Sequence, residues 1–319
     1  MTGIKDQQYG TEIEMTGIRR CTAAQALADL WGTTPIHVGG TTYDKWTVQD
    51  QEGKTWTIMR DGSIKCEKKT EEKKYISTSD KEYSVEMVTP ILTYQEQPKL
   101  QEAVRAVRRA GAKVNASCGM HIHIDGANHN AKSLKNILSI MYSKEDLLFK
   151  ALQVRDSRVS YCQKTRGDML EKIRAERSLT MDKLGEIWYN DKEWHWHTHT
   201  HYDQSRYHAL NLHAMFSKGT VEFRLFNSTL HAGEVKAYIN LALAISAQAI
   251  RQRGCQMNKT ESTNEKFTFR TWLLRLGLNG DEFKTTREHL LKHLDGNAAW
   301  RYSPDHYPTH PQTLAAAIA

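Results

Sequence analysis

The chain has 319 residues, of which 39% are hydrophobic and 25% are charged, a composition typical of globular rather than disordered proteins. With 44 Lys and Arg against 37 Asp and Glu, the formal net charge is +7. That excess suits an anionic ligand or a nucleic acid but requires neither. At about 150 residues per domain, the length allows one large domain or two modest ones.

Several classes of protein are excluded by simple patterns. The longest apolar stretch, Ile239 to Ile250, is interrupted by Asn240 and Gln248 and is well short of the roughly 20 residues needed to cross a bilayer. The first residues contain no apolar segment typical of a secretory signal. Five cysteines occur without a CxxC motif, which argues against a disulfide framework or a cysteine-type zinc knuckle. We therefore expect a reduced, cytoplasmic protein.

Alternating hydrophobicity predicts strands in the first and middle parts of the chain. The predicted strands are Tyr9–Met15, Trp46–Asp50, Trp56–Arg60, Tyr83–Thr89, Lys113–Asp125, His208–Met215 and Thr220–Phe226. The last two flank Ser217-Lys218-Gly219, which resembles a tight hairpin turn. A highly charged run, residues 65–82, is interpreted as a solvated hairpin excursion between the third and fourth strands.

Helical periodicity predicts the intervening and final elements. Leu100 to Ala110 repeats at i, i+3, i+4 and i+7, and Gly111 is suited to end that helix. Further helices are predicted near 133–154, 233–252, 266–276 and 281–294. The order favours an α+β fold in which helices pack on the outer face of an antiparallel-rich, concave sheet. No linker divides the chain, so we predict one domain over residues 1–300, with a helical C-terminal part at 262–300 and a surface tail at 301–319.

Two glutamates in the first predicted strand carry the first chemical signal. In Y-G-T-E-I-E-M, Glu12 and Glu14 are two residues apart, so both carboxylates lie on one face of a strand. Like charges on one face repel unless they meet open water or a cation. Oxygen ligands of this kind suit Mg²⁺. An exposed polar face explains the motif equally well when it is taken alone.

The same geometry recurs in three other predicted strands. Ionisable side chains occupy one face and apolar ones the other at Glu86 (S-V-E-M-V-T-P), at His121 and His123 (G-M-H-I-H-I-D), and at Glu222 and Arg224 (T-V-E-F-R-L-F). Four such strands predict a sheet surface of carboxylates, imidazoles and a guanidinium. Carboxylates that hold Mg²⁺, with an arginine against developing charge, suit phosphoryl transfer. A zinc hydrolase site built on the HIH strand and a glutamate is the alternative.

No nucleotide-binding loop of the P-loop or Rossmann type occurs, nor an H-E-x-x-H motif. Instead, an ordered set of motifs resembles the amidoligase family over about residues 8 to 250. It comprises Y-G-T-E-I-E, D-G-S at Asp61–Ser63, V-E-M-V-T-P, G-A-K-V-N-A-S-C-G-M-H-I-H-I-D, R-Y-H-A-L-N-L-H and T-V-E-F-R-L-F-N-S-T-L-H. The family comprises ATP-dependent carboxylate–amine ligases with a glutamine-synthetase-like fold, related to glutamate–cysteine ligases.

The resemblance implies a reaction, cofactors and partners. ATP would phosphorylate a substrate carboxylate, and an amine would attack the acyl phosphate to give an amide or peptide-like bond. The implied cofactors are ATP and Mg²⁺ or Mn²⁺. The implied partners are a carboxylate and an amine from a small molecule, a peptide or a protein side chain, whereas neither a membrane nor a nucleic acid is expected. The sequence does not identify the substrates or indicate an oligomeric state.

The resemblance also implies roles for individual residues. The residues expected to hold metal are Glu12, Glu14, Glu86, His123 and Glu222. The residues expected at the nucleotide are Arg224, Asn211, His123, Asp61 and Ser63. The residues expected to act on the reacting groups are Arg224, Arg206 and His121. If these expectations hold, the metal-type ligands converge within about 6–8 Å, the span of a two-metal site.

Several other conspicuous residues are given structural interpretations. His195, His197, His199 and His201 alternate and would share one face if extended; an incidental role, a substrate lid and a transition-metal site all remain open. Cys118 is interpreted as a small buried thiol rather than a nucleophile. The cluster of Arg105, Arg108 and Arg109 is interpreted as a solvated helix face, and the Trp46 and Trp56 pair as core.

Three functions follow for testing. A ligase requires nucleotide, metal, carboxylate and amine together. A hydrolase carries zinc and acts without nucleotide. A basic nucleic-acid-binding module would show binding that weakens steeply with salt, although no recognised binding motif supports it.

Overall fold

The computed structural model of the chain describes residues 2–40 and 42–301. One open sheet dominates it, with strand order β10-β11-β9-β1-β7-β4-β3-β2 and a short β8 paired with β1. Its strands are β1 (Gln8–Met15), β2 (Ile36–Gly39), β3 (Lys45–Gln49), β4 (Thr55–Met59), β7 (Val85–Val88), β8 (Leu92–Thr93), β9 (Gly119–Asp125), β10 (Leu210–Asn211) and β11 (Thr220–Asn227). All the paired neighbours run antiparallel.

A second, two-stranded sheet lies outside the main one. β5 (Glu67–Lys69) pairs with β6 (Tyr75–Ser77) within the charged run at 65–82. The predicted hairpin excursion is therefore confirmed. Its base is fixed to the main sheet, because Gly17 N donates a hydrogen bond of 3.0 Å to Glu67 O.

The helices are α1 (Arg20–Trp31), α2 (Gln97–Arg109), α3 (Ala131–Ala151), α4 (Gly167–Ala175), α5 (Met181–Tyr189), α6 (His213–Lys218), α7 (Ala232–Arg251), α8 (Glu265–Arg275) and α9 (Lys284–Leu291). The helices predicted from periodicity are confirmed within a few residues at their ends. Gly111, with φ of 101°, follows α2 in the left-handed region as expected for the residue after a helix. None of the helices in the described ranges combines the length and hydropathy of a membrane span.

Alternation along the central strands separates a core face from a polar face. In β1, Ile13 and Met15 are fully buried in the core while Glu12 and Glu14 lie on the other face. The apolar faces of β1, β7, β9 and β11 form one core with side chains of α2, α3 and α7. The helical cover on that face and the mixed, antiparallel architecture confirm the α+β prediction.

The prediction of a strand over His208–Met215 is correct only for its middle residues. Only Leu210–Asn211 is extended, and His213–Lys218 is the helix α6. The reason is local: Asn211 Oδ1 accepts a hydrogen bond from His213 N at 2.8 Å at the start of α6. Gly219, with φ of 73°, ends the helix rather than closing a hairpin turn.

Other elements escaped the sequence patterns. The first helix, α1, was not predicted, although Ala23, Ala24, Leu27, Ala28 and Trp31 recur at helical spacing and are buried. The edge strand β2 was not predicted either; it is short, and Ile36 and Val38 are exposed. The predicted strand Lys113–Asp125 begins only at Gly119, because Asn115 and Ser117 form a hydrogen-bonded turn before it. The predicted surface tail lies, beyond Arg301, outside the described residues.

Candidate active site

Strand register brings six ionisable side chains together on the polar face of the sheet. Residues directly opposite each other in antiparallel strands have Cβ atoms about 5 Å apart. The opposed pairs are Glu12 with His121, Glu14 with Glu86, and His123 with Glu222. Four strands far apart in the sequence thus contribute to one cluster.

His121 lies at the centre of this cluster and is 7% exposed. Its Nδ1 is 2.8 Å from Glu12 Oε2 and 3.7 Å from Glu222 Oε1, and its Nε2 is 4.0 Å from Glu14 Oε1. The imidazole therefore contacts carboxylates from both neighbouring strands. Burial lowers the pKa of His121, which favours the neutral ring that can accept a proton or a metal ion.

Glu222 is held in place by neutral and cationic donors. Arg224 Nη1 donates to Glu222 Oε1 at 2.5 Å, and Asn211 Nδ2 donates to Glu222 Oε2 at 2.6 Å. Arg224 Nε is buried and makes no hydrogen bond with any residue that the structure describes. The guanidinium thus keeps a free donor beside the carboxylates, where an added anionic group could accept it.

Three overlapping triplets of side chains have ligand atoms suited to a cation. In each, one oxygen or nitrogen per residue lies within 4.8 Å of the others. The triplets are Glu12–His123–Glu222, Glu12–Glu86–His121 and Glu14–Asp61–Glu86. Because Glu12 and Glu86 each belong to two triplets, the candidate metal positions adjoin one another along the sheet.

The donor set fits hard divalent ions such as Mg²⁺ and Mn²⁺, because carboxylate oxygens predominate. The position of one imidazole nitrogen supports the fit. His123 Nε2 is buried 3.3 Å from Glu12 Oε1 and 3.8 Å from Glu222 Oε1, and it forms no well-aligned hydrogen bond with a described residue. A metal ion held between this nitrogen and the two carboxylate oxygens would satisfy it. His121 and His123 fall in different triplets, so the two imidazoles do not share one zinc-like ligand set.

Charge crowding separates the carboxylates into two kinds. Burial and the nearby Asp61 raise the pKa of Glu14 to about 8. Burial and the Glu12 carboxylate raise the pKa of Glu86 well above its usual range. Burial opposes ionisation of Glu222 as well, but Arg224 and His123 outweigh it and lower the pKa of Glu222 to about 2. Negative neighbours therefore dominate around Glu14 and Glu86 on β1 and β7, whereas Arg224 supplies positive charge beside Glu222 on β11.

A cavity of about 160 Å³ adjoins the Glu222 end of the cluster. Its wall is formed by the start of α6, by Arg206 and by residues 194–201, hereafter the His/Trp-rich segment. The lining residues are Thr198, His199, His201, Arg206, Asn211, His213, Ala214, Ser217, Lys218 and Glu222. The cavity connects the acidic cluster with a group of cationic and imidazole side chains.

Comparison with known families agrees with the motif order on these strands. Residues 5–246 match the family described as "Putative amidoligase enzyme", a range that covers more than half of the chain. The chain belongs to the amidoligase family. Family membership supports its general class, an amide-bond-forming ligase. No curated protein is significantly similar to this amidoligase in sequence.

One solved structure resembles the amidoligase chain weakly. A bifunctional glutathione synthetase from Pasteurella multocida is 13% identical, with a TM-score of 0.37 over 91% of this chain and 47% of its own. The amidoligase thus spans about half the length of that protein. A score at this level does not establish a shared fold, so the family assignment rests on the sequence match.

Two residues of the amidoligase motif D-G-S are placed differently from each other. Asp61 joins Glu14 and Glu86 in a candidate metal triplet, although it was expected at the nucleotide. Ser63 is exposed, and its backbone N–H donates to Asp61 Oδ1 at 2.7 Å. The hydroxyl group of Ser63 also donates to Asp61 Oδ1, so Ser63 shapes the turn that presents Asp61 to its triplet.

The His/Trp-rich segment is folded rather than extended. Trp194–His199 forms a 3₁₀ helix, so the alternating histidines point in different directions. His197 lies between Asp203, at 2.6 Å, and Asp191, at 3.3 Å, whereas His199 and His201 line the cavity. In the described part of the chain these four histidines form no metal-type group. Among the three interpretations left open by the sequence, the lid is the one that this placement favours.

Arg158 is a buried cation of the amidoligase that sequence reasoning missed. It is 5% exposed and donates from Nη2 to Arg224 O at 3.0 Å and from Nη1 to Phe226 O. These carbonyls lie where the β11–β9 register shifts between Phe223 and Phe226, a bulge with one extra residue on β11. Arg158 therefore supports the backbone that presents Arg224. A single arginine in a polar stretch gives no signal of such a role.

The remaining structural interpretations are largely upheld. Cys118 is fully buried, and burial raises the pKa of its thiol to about 11, which makes it a poor nucleophile. All five cysteines are free. The arginines of α2 are exposed as expected. Trp56 is fully buried, whereas Trp46 is half-buried against the core and stacks on His37.

Proposed function

We propose that this amidoligase is an ATP-dependent carboxylate–amine ligase that forms an amide bond through an acyl phosphate, with Mg²⁺ or Mn²⁺. The observation that carries the proposal is the set of overlapping triplets on one sheet face, ending beside the buried Arg224. Adjoining metal positions next to a guanidinium suit a polyphosphate, because both neutralise oxygens that gain charge during phosphoryl transfer.

The proposed chemistry has two balanced steps. An oxygen of the substrate carboxylate attacks the γ-phosphorus of ATP, and ADP leaves. The amine nitrogen then attacks the acyl carbon, inorganic phosphate leaves with its bridging oxygen, and the nitrogen loses a proton. The first step is needed because a carboxylate has no adequate leaving group until it is phosphorylated.

The chain's own residues would divide the work. Glu12, Glu14, Glu86, His123, Glu222 and Asp61 would hold the ions. Bound ions would supply charge neutralisation at the phosphate oxygens. Arg224, whose Nε lacks a partner, would donate to the transferred phosphoryl group. His121 belongs to the middle triplet, and while that position holds no ion its neutral ring, buried and with a lowered pKa, could accept the proton of the incoming amine.

The proposal extends to the architecture. The open antiparallel sheet, with helices on its apolar face, is consistent with a fold of the glutamine-synthetase type. We also propose that residues 1–300 act as one catalytic domain, since the side chains of the candidate site come from strands and turns between residues 8 and 227.

The decisive experiment is an ADP-release assay over pools of carboxylates and amines, with mass detection of the amide product. ADP release is expected only when Mg²⁺, a carboxylate and an amine are all present. Glu12→Gln is expected to reduce turnover by at least roughly a hundredfold, because Glu12 serves two triplets. Glu102→Gln, on the exposed face of α2, is the matched control and should retain activity.

Two results would remove the proposal: full activity in Glu12→Gln, or amide formation without nucleotide. The zinc-hydrolase alternative predicts zinc in the purified protein and product without ATP. It is less well supported, since the two imidazoles of the HIH strand belong to different triplets.

A further inference from the structure

The cavity beside Glu222 has a wall of positive and imidazole side chains from three short elements. Arg206 ends the 3₁₀ turn Gln204–Arg206, Lys218 ends α6, and His199 and His201 belong to the His/Trp-rich segment. At about 160 Å³, the cavity can hold one phosphate or carboxylate group with water.

No carboxylate of the described residues neutralises the two permanent cations of this wall. Arg206 Nη1 donates to the backbone oxygen of His201 at 2.8 Å, and its guanidinium lies 5.6 Å from the ring centroid of Tyr202 and 5.9 Å from that of Tyr207. Arg206 Nε is buried without a hydrogen-bond partner in the part of the chain that the structure describes. Lys218 is exposed. Across the described ranges, neither side chain forms an ion pair with a carboxylate. Buried guanidinium donors without partners are uncommon and indicate a missing acceptor.

The acidic groups near the cavity are already engaged. Glu222 lines the cavity, but its two oxygens accept from Arg224 and Asn211. Asp203, on the loop before Arg206, is held by His197 and by Ser205 N at 2.8 Å. The available potential on the wall is therefore positive, although the neighbouring sheet is acidic.

We propose that this cavity is an anion subsite in which Arg206 and Lys218 bind a phosphate or carboxylate group of a substrate. The inference rests on the proposed ligase function for the identity of the substrates, and it deepens that function by assigning a second anionic contact outside the metal cluster. Arg206 presents a planar pair of donors suited to two oxygens of one anion, and Lys218 adds a single point charge. His199 and His201 would cover the bound group.

The covering segment supplies a direct optical readout. Trp196, which is exposed and lies three residues before His199, stacks on His197 with 3.7 Å between ring centroids. An anion that draws His199 and His201 inward would change the surroundings of Trp196. Because the chain has eight tryptophans, the part of the fluorescence change that is lost in Trp196→Phe reports occupancy, without any need for turnover.

The test measures binding of three probes to the full chain by calorimetry and tryptophan fluorescence: pyrophosphate, succinate, and Mg²⁺ with a non-hydrolysable ATP analogue. Arg206→Gln and Lys218→Gln are each expected to weaken pyrophosphate binding roughly tenfold or more, as expected for a lost charge-assisted hydrogen bond. Lys192→Gln is the matched control, because Lys192 is exposed near the same segment but does not line the cavity. It should bind within about twofold of the unmodified chain.

The probes distinguish the two sources of the anion. Weaker binding of the ATP analogue with unchanged succinate binding assigns the subsite to a nucleotide phosphate. Weaker succinate binding with unchanged nucleotide binding assigns it to a carboxylate of the acid substrate. Lys218→Gln keeps the test valid if Arg206→Gln does not fold. The side chain of Lys218 forms no hydrogen bond with the described residues, so its replacement should leave the fold unchanged.

The proposal is overturned if pyrophosphate does not bind at millimolar concentration, or if Arg206→Gln and Lys218→Gln bind it as the unmodified chain does. These outcomes differ from those expected if the ligase proposal fails. If the ligase proposal alone is wrong, the unmodified chain releases no ADP, but it still binds the anion, and the two variants still bind it more weakly.

Discussion

Glu14 and Glu86 lie directly opposite each other on neighbouring strands, and both are buried. Opposed carboxylates in a β-sheet repel, and here Asp61 adds a third negative group to the same triplet. Burial raises the pKa of both glutamates, and nearby negative charge raises it further, from Asp61 at Glu14 and from Glu12 at Glu86. In the metal-free protein this part of the sheet therefore opposes folding, and a bound cation would relieve it.

Glu86→Gln is expected to raise the melting temperature of the metal-free protein and to abolish part of the stabilisation by Mn²⁺. Glutamine resembles the protonated carboxyl group that burial and Glu12 already favour at this position. In the unmodified chain, Mn²⁺ at a hundred times its dissociation constant should stabilise by about 2.7 kcal/mol. Thermal unfolding with Mn²⁺ and with a chelator measures both effects. An equal Mn²⁺-induced shift in the variant and the unmodified chain would contradict the assignment of Glu86 as a ligand.

Metal binding should release protons and should strengthen as the pH rises from 6 to 8. The pKa of Glu14 is raised from 4.5 to about 8, so the carboxyl group is mostly protonated at pH 7, and an ion must displace that proton to bind. Calorimetry in buffers with different ionisation enthalpies counts the protons released. Glu14→Gln removes the titrating group and should flatten the dependence, whereas a pH-independent affinity in the unmodified chain would contradict the role of Glu14.

Gly119→Ala is expected to destabilise the protein by about 1–3 kcal/mol, the usual cost of overpacking. A Cβ atom there would lie 2.8 Å from Arg158 Cζ, in the space that the guanidinium uses to reach the β11 bulge. Chemical denaturation measures the loss. Gly254→Ala is the matched control, since nothing lies within 4 Å of the added atom.

The same packing should couple Gly119 to Arg158. Arg158→Lys should displace Arg224, because lysine is shorter and lacks the two-nitrogen fork with which Arg158 reaches the carbonyls of Arg224 and Phe226. In a double-mutant cycle with Gly119→Ala, the two losses should be less than additive by at least about 0.5 kcal/mol. Strict additivity would show that the two residues do not share this contact.

Stability should fall between pH 6.5 and pH 4 because of His129. This buried ring contacts the hydroxyl groups of Ser133, at 3.1 Å, and Ser246, at 2.9 Å. Burial lowers the pKa of His129 to about 4, so below pH 6.5 the unfolded chain binds a proton that the folded chain does not. Above pH 6.5 the neutral His129 ring does not lower the free energy of unfolding. As the pH falls from 6.5 to 4, the free energy of unfolding decreases by up to about 3 kcal/mol.

Denaturant unfolding of His129→Gln and the unmodified chain at pH 7.5 and pH 5 tests this relation. The difference in unfolding free energy between the two proteins should shrink at pH 5, because glutamine does not titrate. His195→Gln, at an exposed position, should leave the pH dependence unchanged. If His129→Gln retains the full pH dependence of the unmodified chain, the loss comes from other groups.

The ionisable side chains of the cluster could be predicted from the sequence, because side chains two residues apart in a strand lie on the same face. Glu12 and Glu14, or His121 and His123, share a face in any strand, whatever it pairs with. Their convergence depends on register between distant strands, such as Glu12 against His121, which local spacing does not contain. The order of the amidoligase motifs supplied the missing information there.

Other features were beyond the reach of periodicity. The cavity wall comes from 3₁₀ turns and a six-residue helix, which are too short for a repeat to emerge. The alternation at His208–Met215 indicated a strand, but an asparagine side chain that accepts from the backbone was enough to start a helix instead. Arg158 acts through carbonyl groups of a bulge, and bulges leave no regular pattern in the sequence.

The sharing of ligands among the three triplets has a consequence for how ions would fill them. Glu12 belongs to the first and second triplets, and Glu86 belongs to the second and third. In the second triplet, which forms the middle metal position, His121 is therefore the one ligand that is not shared. An ion at either outer position would orient a shared carboxylate for the middle position. It would also neutralise part of the negative charge of that carboxylate. Occupancies of the three positions would therefore be linked, and a binding isotherm would report cooperative, macroscopic constants that belong to the array and not to any single position.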